Sequence, residues 1–221
     1  MKWLPKKYFL YCCLCSWFVA NIPVMIAQAQ PITVTPYPDK MTIENFIRTN
    51  LFGTQSNVDI QSLTFRGDIR AFGSFIKKSS EKLGINQGIL LSTGNATDAT
   101  GPNTAGSKKS TPLGTDGDPD GDDQIRNLVG DASTVTQDAA VIEITFTPAF
   151  NNFSFNYVFA SEEYNDFVCQ SYNDAFGFFL SGPDPNNPGY SYENMNIATI
   201  DETNIYVSIN TINNCVNDCS Q

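Results

Sequence analysis

Three runs of alternating apolar residues constrain this chain more than any other feature. Ala140, Ile142, Ile144 and Phe146 alternate with Val141, Glu143 and Thr145. Phe153, Phe155, Tyr157 and Phe159 alternate with Ser154, Asn156 and Val158, and Phe176, Phe178 and Leu180 form a third inward set with Phe179 on the other face. Successive side chains of a strand point to opposite faces, so a period of two buries one face and leaves the other to water. Bulky aromatics in such runs, separated by Pro and Gly turns, predict a mostly β chain. Two packed antiparallel sheets would form a β-sandwich, with a jelly roll as one arrangement.

Weaker strand signals agree. Val58 and Ile60 alternate, and Leu63 and Phe65 resume the pattern after a slip in register. Gly88 to Gly94 is a short apolar run between glycines, suited to a buried strand, and a last pair, Ile197 to Ile200 and Ile205 to Ile209, flanks an Asp201-Glu202-Thr203-Asn204 turn. One short N-terminal helix is expected: Thr42 can cap it, Ile43, Phe46, Ile47 and Leu51 share a face, and Gly53 can stop it. Between Thr97 and Asp138 the composition turns to Gly, Asp, Thr, Pro and Ser, too long a stretch for a hairpin loop and suited to a functional or ligand-organised one.

The N-terminus sets the compartment. Lys2, Lys6 and Lys7 precede an apolar run from Tyr8 to Ala20, and Ala27-Gln28-Ala29 supplies the small residues of a cleavage site. Residues 1–29 are therefore expected to be a signal peptide, 30–40 a Pro-rich extended leader, and 41–221 the domain. The alternative is an uncleaved anchor, but Asn21 and Pro23 interrupt the run, and nothing later approaches the roughly 18 apolar residues of a spanning helix. The expected location is secreted or on the extracellular cell surface, with no transmembrane anchor in this chain.

Of 13 basic and 23 acidic residues, only three basic ones lie in 1–29, so the remaining 192 residues carry ten positive charges against 23 negative, a net −13. Such a surface repels phosphate backbones and excludes nucleic acid as the expected partner. There is no histidine, which removes Ser-His-Asp and Cys-His catalysis, imidazole metal sites and the usual neutral-pH proton shuttle. Oxygen chemistry remains, and hard cations prefer oxygen. Cys169, Cys215 and Cys219 survive cleavage, an odd number in an oxidising compartment, so either one thiol stays free or its partner lies outside this chain.

Two carboxylate groupings stand out. Asp116-Gly117-Asp118-Pro119-Asp120-Gly121-Asp122-Asp123 places acids at alternate positions with glycines between them, so Asp116, Asp118, Asp120 and Asp122 are candidate calcium ligands. Position 12 of such a loop falls on Asn127 and no flanking helices are evident, so it is not an EF-hand; the plain alternative is a solvated acidic loop. The second grouping, Ser161-Glu162-Glu163-Tyr164-Asn165-Asp166 with Asn173 and Asp174, puts carboxylates and amides at neighbouring strand ends. Glu162, Glu163, Asn173 and Asp174 are candidate binding residues for a surface ligand, carbohydrate or protein. Glycosidases use two carboxylates roughly 5–10 Å apart, so a carbohydrate-active hydrolase or lectin-like sugar binder on Glu163 and Asp174 is the alternative to a non-catalytic adhesion module.

Five stretches occur in order: Gly88-Ile89-Leu90-Leu91-Ser92-Thr93-Gly94, Gly117-Asp118-Pro119-Asp120, Asp138-Ala139-Ala140-Val141-Ile142-Glu143, Ser161-Glu162-Glu163-Tyr164 and Asn173-Asp174-Ala175-Phe176-Gly177-Phe178-Phe179-Leu180-Ser181-Gly182-Pro183. Together they resemble the choice-of-anchor L domain of bacterial surface proteins, from about Met41 to Asn213. The resemblance implies export and a surface role, with attachment through varied C-terminal sorting signals or modules. It brings no ligand and no catalytic residues. The family pattern runs on beyond Gln221, so the domain is expected to be C-terminally incomplete. Residues Asn173 to Leu180 also carry a fainter likeness to the aspartate-aromatic strand of legume-type lectins.

Overall fold

The computed structural model describes residues 32–53, 58–78, 83–101, 113, 121–130, 135–151, 154–164, 166–170, 172–200 and 203–213. Among them the chain is mostly strand, and every sheet is antiparallel. The strands are β1 (Thr33–Pro36), β2 (Val58–Arg66), β3 (Phe72–Ile76), β4 (Gln87–Leu91), β5 (Val141–Pro148), β6 (Ala175–Phe176), β7 (Phe179–Pro183), β8 (Ser191–Asn196) and β9 (Val207–Ser208). They pair in the orders β1-β3-β4, β2-β5, β6-β9 and β7-β8. The signal-peptide expectation for 1–29 falls outside the described residues.

The slip in β2 is a bulge. Ile60 pairs with Phe146, Ser62 with Thr145, and the register shifts between them. The extra residue restores Leu63 to the inner face beside Ile60, so both are buried while Gln61 and Thr64 face water. Gln61 and Thr64 meet Thr147 and Glu143 across the outer face of β5. The stretch read as a leader is part of the sheet: Thr33–Pro36 is hydrogen-bonded along β3. Gly73 permits this close approach, because a Cβ there would stand 2.8 Å from the Thr35 carbonyl oxygen.

Thr42 caps helix α1 (Ile43–Ile47), its hydroxyl accepting the Asn45 N–H at 3.2 Å. The helix then widens into a π-turn over Arg48–Phe52 and stops at Gly53, φ +67. Phe46 and Ile47 are buried, but the wider turn rotates Leu51 outward, where it is 43% exposed. A second helix, α2 (Asp123–Leu128), was not expected from the apolar pattern; it is short and begins inside the acidic run.

The core gathers on Phe72 of β3, which is fully buried. Phe65 stacks on it with ring centroids 4.6 Å apart, and Phe46 meets it edge-on at 5.0 Å. Ile47, Ile60 and Leu63 complete the buried cluster, with Ile89, Leu91, Ile142 and Ile144 packed against it. The β1-β3-β4 sheet, the β2-β5 sheet and α1 thus share one apolar interior. The Phe153 to Phe159 run is not assigned as a strand over its described residues 154–160. It nevertheless lays its aromatics against the β6–β7 segment: Phe155 stacks on Phe178 at 4.1 Å and Tyr157 on Phe176 at 4.9 Å.

Candidate functional site

The acidic run is anchored at both of its described ends. Asp122 is buried, and its two carboxylate oxygens are occupied: Oδ1 accepts the Ile125 N–H at 2.9 Å as the N-cap of α2, and Oδ2 meets Arg66 Nη2 at 2.5 Å. Its own N–H donates to Thr136 Oγ1 at 2.9 Å. Gly121 fits beside Thr136 because a Cβ would fall 2.4 Å from that residue's carbonyl oxygen. At the other end Leu113 is buried, with its N–H donating to Asp138 Oδ1 at 3.1 Å and its carbonyl accepting from Arg70 Nη2 at 3.2 Å. Asp122 therefore acts as cap and ion-pair partner. Asp116, Asp118 and Asp120 lie outside the described residues. Among the described residues no group of three His, Cys, Asp or Glu could hold a metal ion.

The second grouping is brought together. Tyr157–Phe176 stacking aligns the end of the 154–160 segment with the start of β6, so Ser161 arrives opposite Asp174. The Ser161 hydroxyl donates to Asp174 Oδ2 at 2.6 Å and accepts the Glu163 N–H at 3.1 Å. From there the chain turns, with the Phe167 N–H on the Glu163 carbonyl and the Gln170 N–H on the Phe167 carbonyl, both at 3.0 Å. Val168 is buried under this turn. Asn173 and Asp174 tie β6 to the chain after β9: Asn173 Oδ1 accepts the Asn210 N–H at 3.3 Å, and the Asp174 carbonyl accepts the Ile209 N–H at 3.1 Å. Tyr164 donates its hydroxyl to the Ile212 carbonyl.

Like charges crowd this turn. Burial, then the neighbouring Asp174 and Asp98 carboxylates, push the Glu162 carboxyl above its ordinary range. Burial, then Asp174 and Glu162, do the same to Glu163. Burial and Asp174 also raise the Tyr164 phenol. Glu163 Oε2 is buried with no hydrogen-bond partner among the described residues, an acceptor that a proton or a donor from a ligand would satisfy. Asp98 was missed in the sequence because it comes from the 3₁₀ turn Ala96–Thr100, more than sixty residues away in the chain. Ser161 carried a local signal, a hydroxyl two residues before an acid.

The family model of the choice-of-anchor L domain matches residues 33–221. The chain belongs to that family. The choice-of-anchor L domain is a module of bacterial surface-associated proteins, and the match takes in both sheets of the core, the acidic run and the carboxylate turn. It begins at Thr33, where β1 begins. No curated protein and no solved structure matches the chain. Among the described residues no helix is long and apolar enough to cross a membrane.

Proposed function

We propose that this choice-of-anchor L domain is a non-catalytic adhesion or recognition module displayed outside the cell, which holds a protein or carbohydrate ligand at the Ser161–Asp174 turn. The observation that carries this reading is the buried Glu163 Oε2, without a hydrogen-bond partner among the described residues and close to the Glu162 and Asp174 carboxylates. Carboxylates and aromatic faces at strand ends suit hydroxyl-rich or cationic ligand groups. The test is binding of the secreted protein to immobilised glycans and to host-matrix proteins, alongside attachment of cells that display it. Glu163→Gln and Asp174→Asn should each weaken a wild-type signal about tenfold or more. A signal unmoved by both substitutions overturns the assignment of the site.

Calcium is the proposed cofactor of the acidic run. The support is the acidic pattern itself, together with the described flanks: Leu113 and Asp122 are both held by hydrogen bonds. Binding to the native state alone adds RT ln(1 + [L]/Kd), about 2.7 kcal/mol at a hundredfold excess, or roughly 5–10 °C in melting temperature for a domain of this size. An Asp118→Ala/Asp120→Ala protein should lose that response. Identical melts with calcium and with chelator leave the solvated loop as the correct reading.

The raised proton affinity of Glu163 favours one other reading, a glycoside hydrolase with Glu163 as general acid and Asp174 as its partner. It requires glycan turnover that Glu163→Gln abolishes. Binding without turnover rejects it.

A further inference from the structure

Helix α2 is six residues long, too short to persist on its own, because the first hydrogen-bonded turn costs more conformational freedom than it returns. Its stability has to come from what it touches, and its contacts reach both regions of the molecule. At its start, Asp122 caps the helix through the Ile125 N–H and pairs with Arg66 at the end of β2. From its side, Gln124 Nε2 donates to Asn194 Oδ1 in β8 at 3.1 Å. Ile125 reaches Gly177, between β6 and Phe178. A Cβ at Gly177 would stand 3.2 Å from Ile125 Cδ1 and 2.6 Å from the Phe179 ring, so glycine leaves room for both side chains.

The far end of the Gln124 bond is itself specialised. Asn194 sits at φ +49 in the bulge where the β7–β8 register shifts, a conformation that asparagine tolerates better than most residues. Ser181 Oγ accepts its N–H at 2.9 Å, and its Oδ1 takes the Ser181 hydroxyl at 3.3 Å as well as Gln124. The other contact, Gly177, lies between Phe176 and Phe178, the rings on which Tyr157 and Phe155 stack. That ladder leads to Ser161, whose hydroxyl meets Asp174.

We infer that α2 is a brace between the two regions. Through Gln124 and Ile125 it passes the position of Asp122, fixed by Arg66, to Gly177 and Asn194, and so to the ladder that sets Ser161 opposite Asp174. Opening the Arg66–Asp122 pair should therefore loosen the β6–β8 segment. The brace stands without any ligand; only its bearing on recognition rests on the reading of the Ser161–Asp174 turn as the binding site.

Amide exchange of the folded, full chain, read residue by residue by NMR, tests this. In the second region the reporters are the N–H groups of Phe178, on Asn196 Oδ1, and Ile197, on the Phe178 carbonyl. In the first they are Tyr37 and Ser92, on the Phe72 and Ala71 carbonyls. Gln124→Ala removes one hydrogen bond and should speed exchange about three- to tenfold at Phe178 and Ile197, leaving Tyr37 and Ser92 unchanged. Arg66→Gln should speed Phe178 and Ile197 about threefold more than it speeds Tyr37 and Ser92. Asn194→Gly keeps the positive φ and removes the amide, so in that background Gln124→Ala should add nothing. Equal acceleration in both regions, or none in the second, overturns the brace, as does a Gln124→Ala effect that persists beside Asn194→Gly. If Asn194→Gly fails to fold, the Gln124→Ala and Arg66→Gln comparisons decide alone. No ligand enters these measurements, so a failed brace leaves the proposed binding site standing, and a failed site leaves the brace.

Discussion

Phe72 and Phe178 are both phenylalanines, yet Phe72 is wholly excluded from water and Phe178 is only partly covered. Around Phe72 three aromatic rings, two sheets and a helix converge. Around Phe178 the described contacts include a stacked ring, Phe155, and an amide: Asn196 Oδ1 accepts the Phe178 N–H at 3.0 Å. The difference runs through both regions. The β1–β5 region is held chiefly by apolar burial and by its ladders, with side-chain bonds such as Arg48 Nη2 to the Ile60 carbonyl at 2.9 Å added around them. In the β6–β9 region β6 and β9 are only two residues long, and side chains bonding to backbone, as Asn173, Asn196 and Asn210 do, and the Cys169 disulfide supplement the ladders. A surface module gains from this division, because the region that carries the candidate site need not be as apolar as the region that keeps it folded.

The sharpest way to break the comparison is truncation of the two rings. Phe72→Ala should cost about 3–5 kcal/mol, the range for a fully buried aromatic, and lower the melting temperature by roughly 6–20 °C. Phe178→Ala forfeits less buried area and should cost about 1–2 kcal/mol. Equal losses would mean that the second region is as dependent on burial as the first.

The next effect in size is at Asp122. Asp122→Ala removes a helix cap, worth about 1 kcal/mol, and a charge-assisted bond to Arg66, worth roughly 1.5–3 kcal/mol in favourable settings. Arg66 is half exposed, so the low end applies and about 2 kcal/mol in total is expected. Asp122→Asn keeps an acceptor for the cap and should cost about half as much. Urea melts of both variants measure this. A neutral Asp122→Ala would remove the structural role of the residue and return it to the calcium ligands.

These particulars show where the sequence was legible. The bulge after Ile60 was visible because one extra residue puts two apolar positions out of phase, and the Thr42 cap because hydroxyl and apolar spacing are both local. β1 and β3 were not visible: Thr33–Pro36 has two exposed threonines and a proline, and Phe72–Ile76 contains a glycine whose purpose, close approach to β1, is set by its partner. Asp122 read as one acid among several. Its burial depends on Arg66, fifty-six residues earlier, and no local pattern carries that information. The carboxylate turn was legible as a cluster, whereas its electrostatic strain depends on Asp98 and on the Ser161–Asp174 contact, both products of the fold.

The smallest expected effect tests the second region through pH. Glu162 and Glu163 bind protons more readily in the folded chain than at the ordinary carboxyl value of 4.5. Unfolding then releases protons, so stability rises as pH falls. The penalty is full at neutral pH, shrinks as pH drops through the raised folded values, and is gone below 4.5. Asp68 behaves oppositely: hydrogen bonds from Arg70 hold it below 3.8, so its contribution is complete above that value and is lost as pH falls through the lower folded one. The melting temperature should therefore climb from pH 7 toward about pH 4.5 and decline below about pH 3.8. Glu163→Gln should raise the neutral-pH melt slightly and flatten the climb while leaving the acid decline in place. Asp68→Asn should flatten the decline alone. A wild-type melting temperature that falls steadily from pH 7 downward would show that the Ser161–Asp174 turn carries no crowded carboxylates, and that the second region is no more strained than the first.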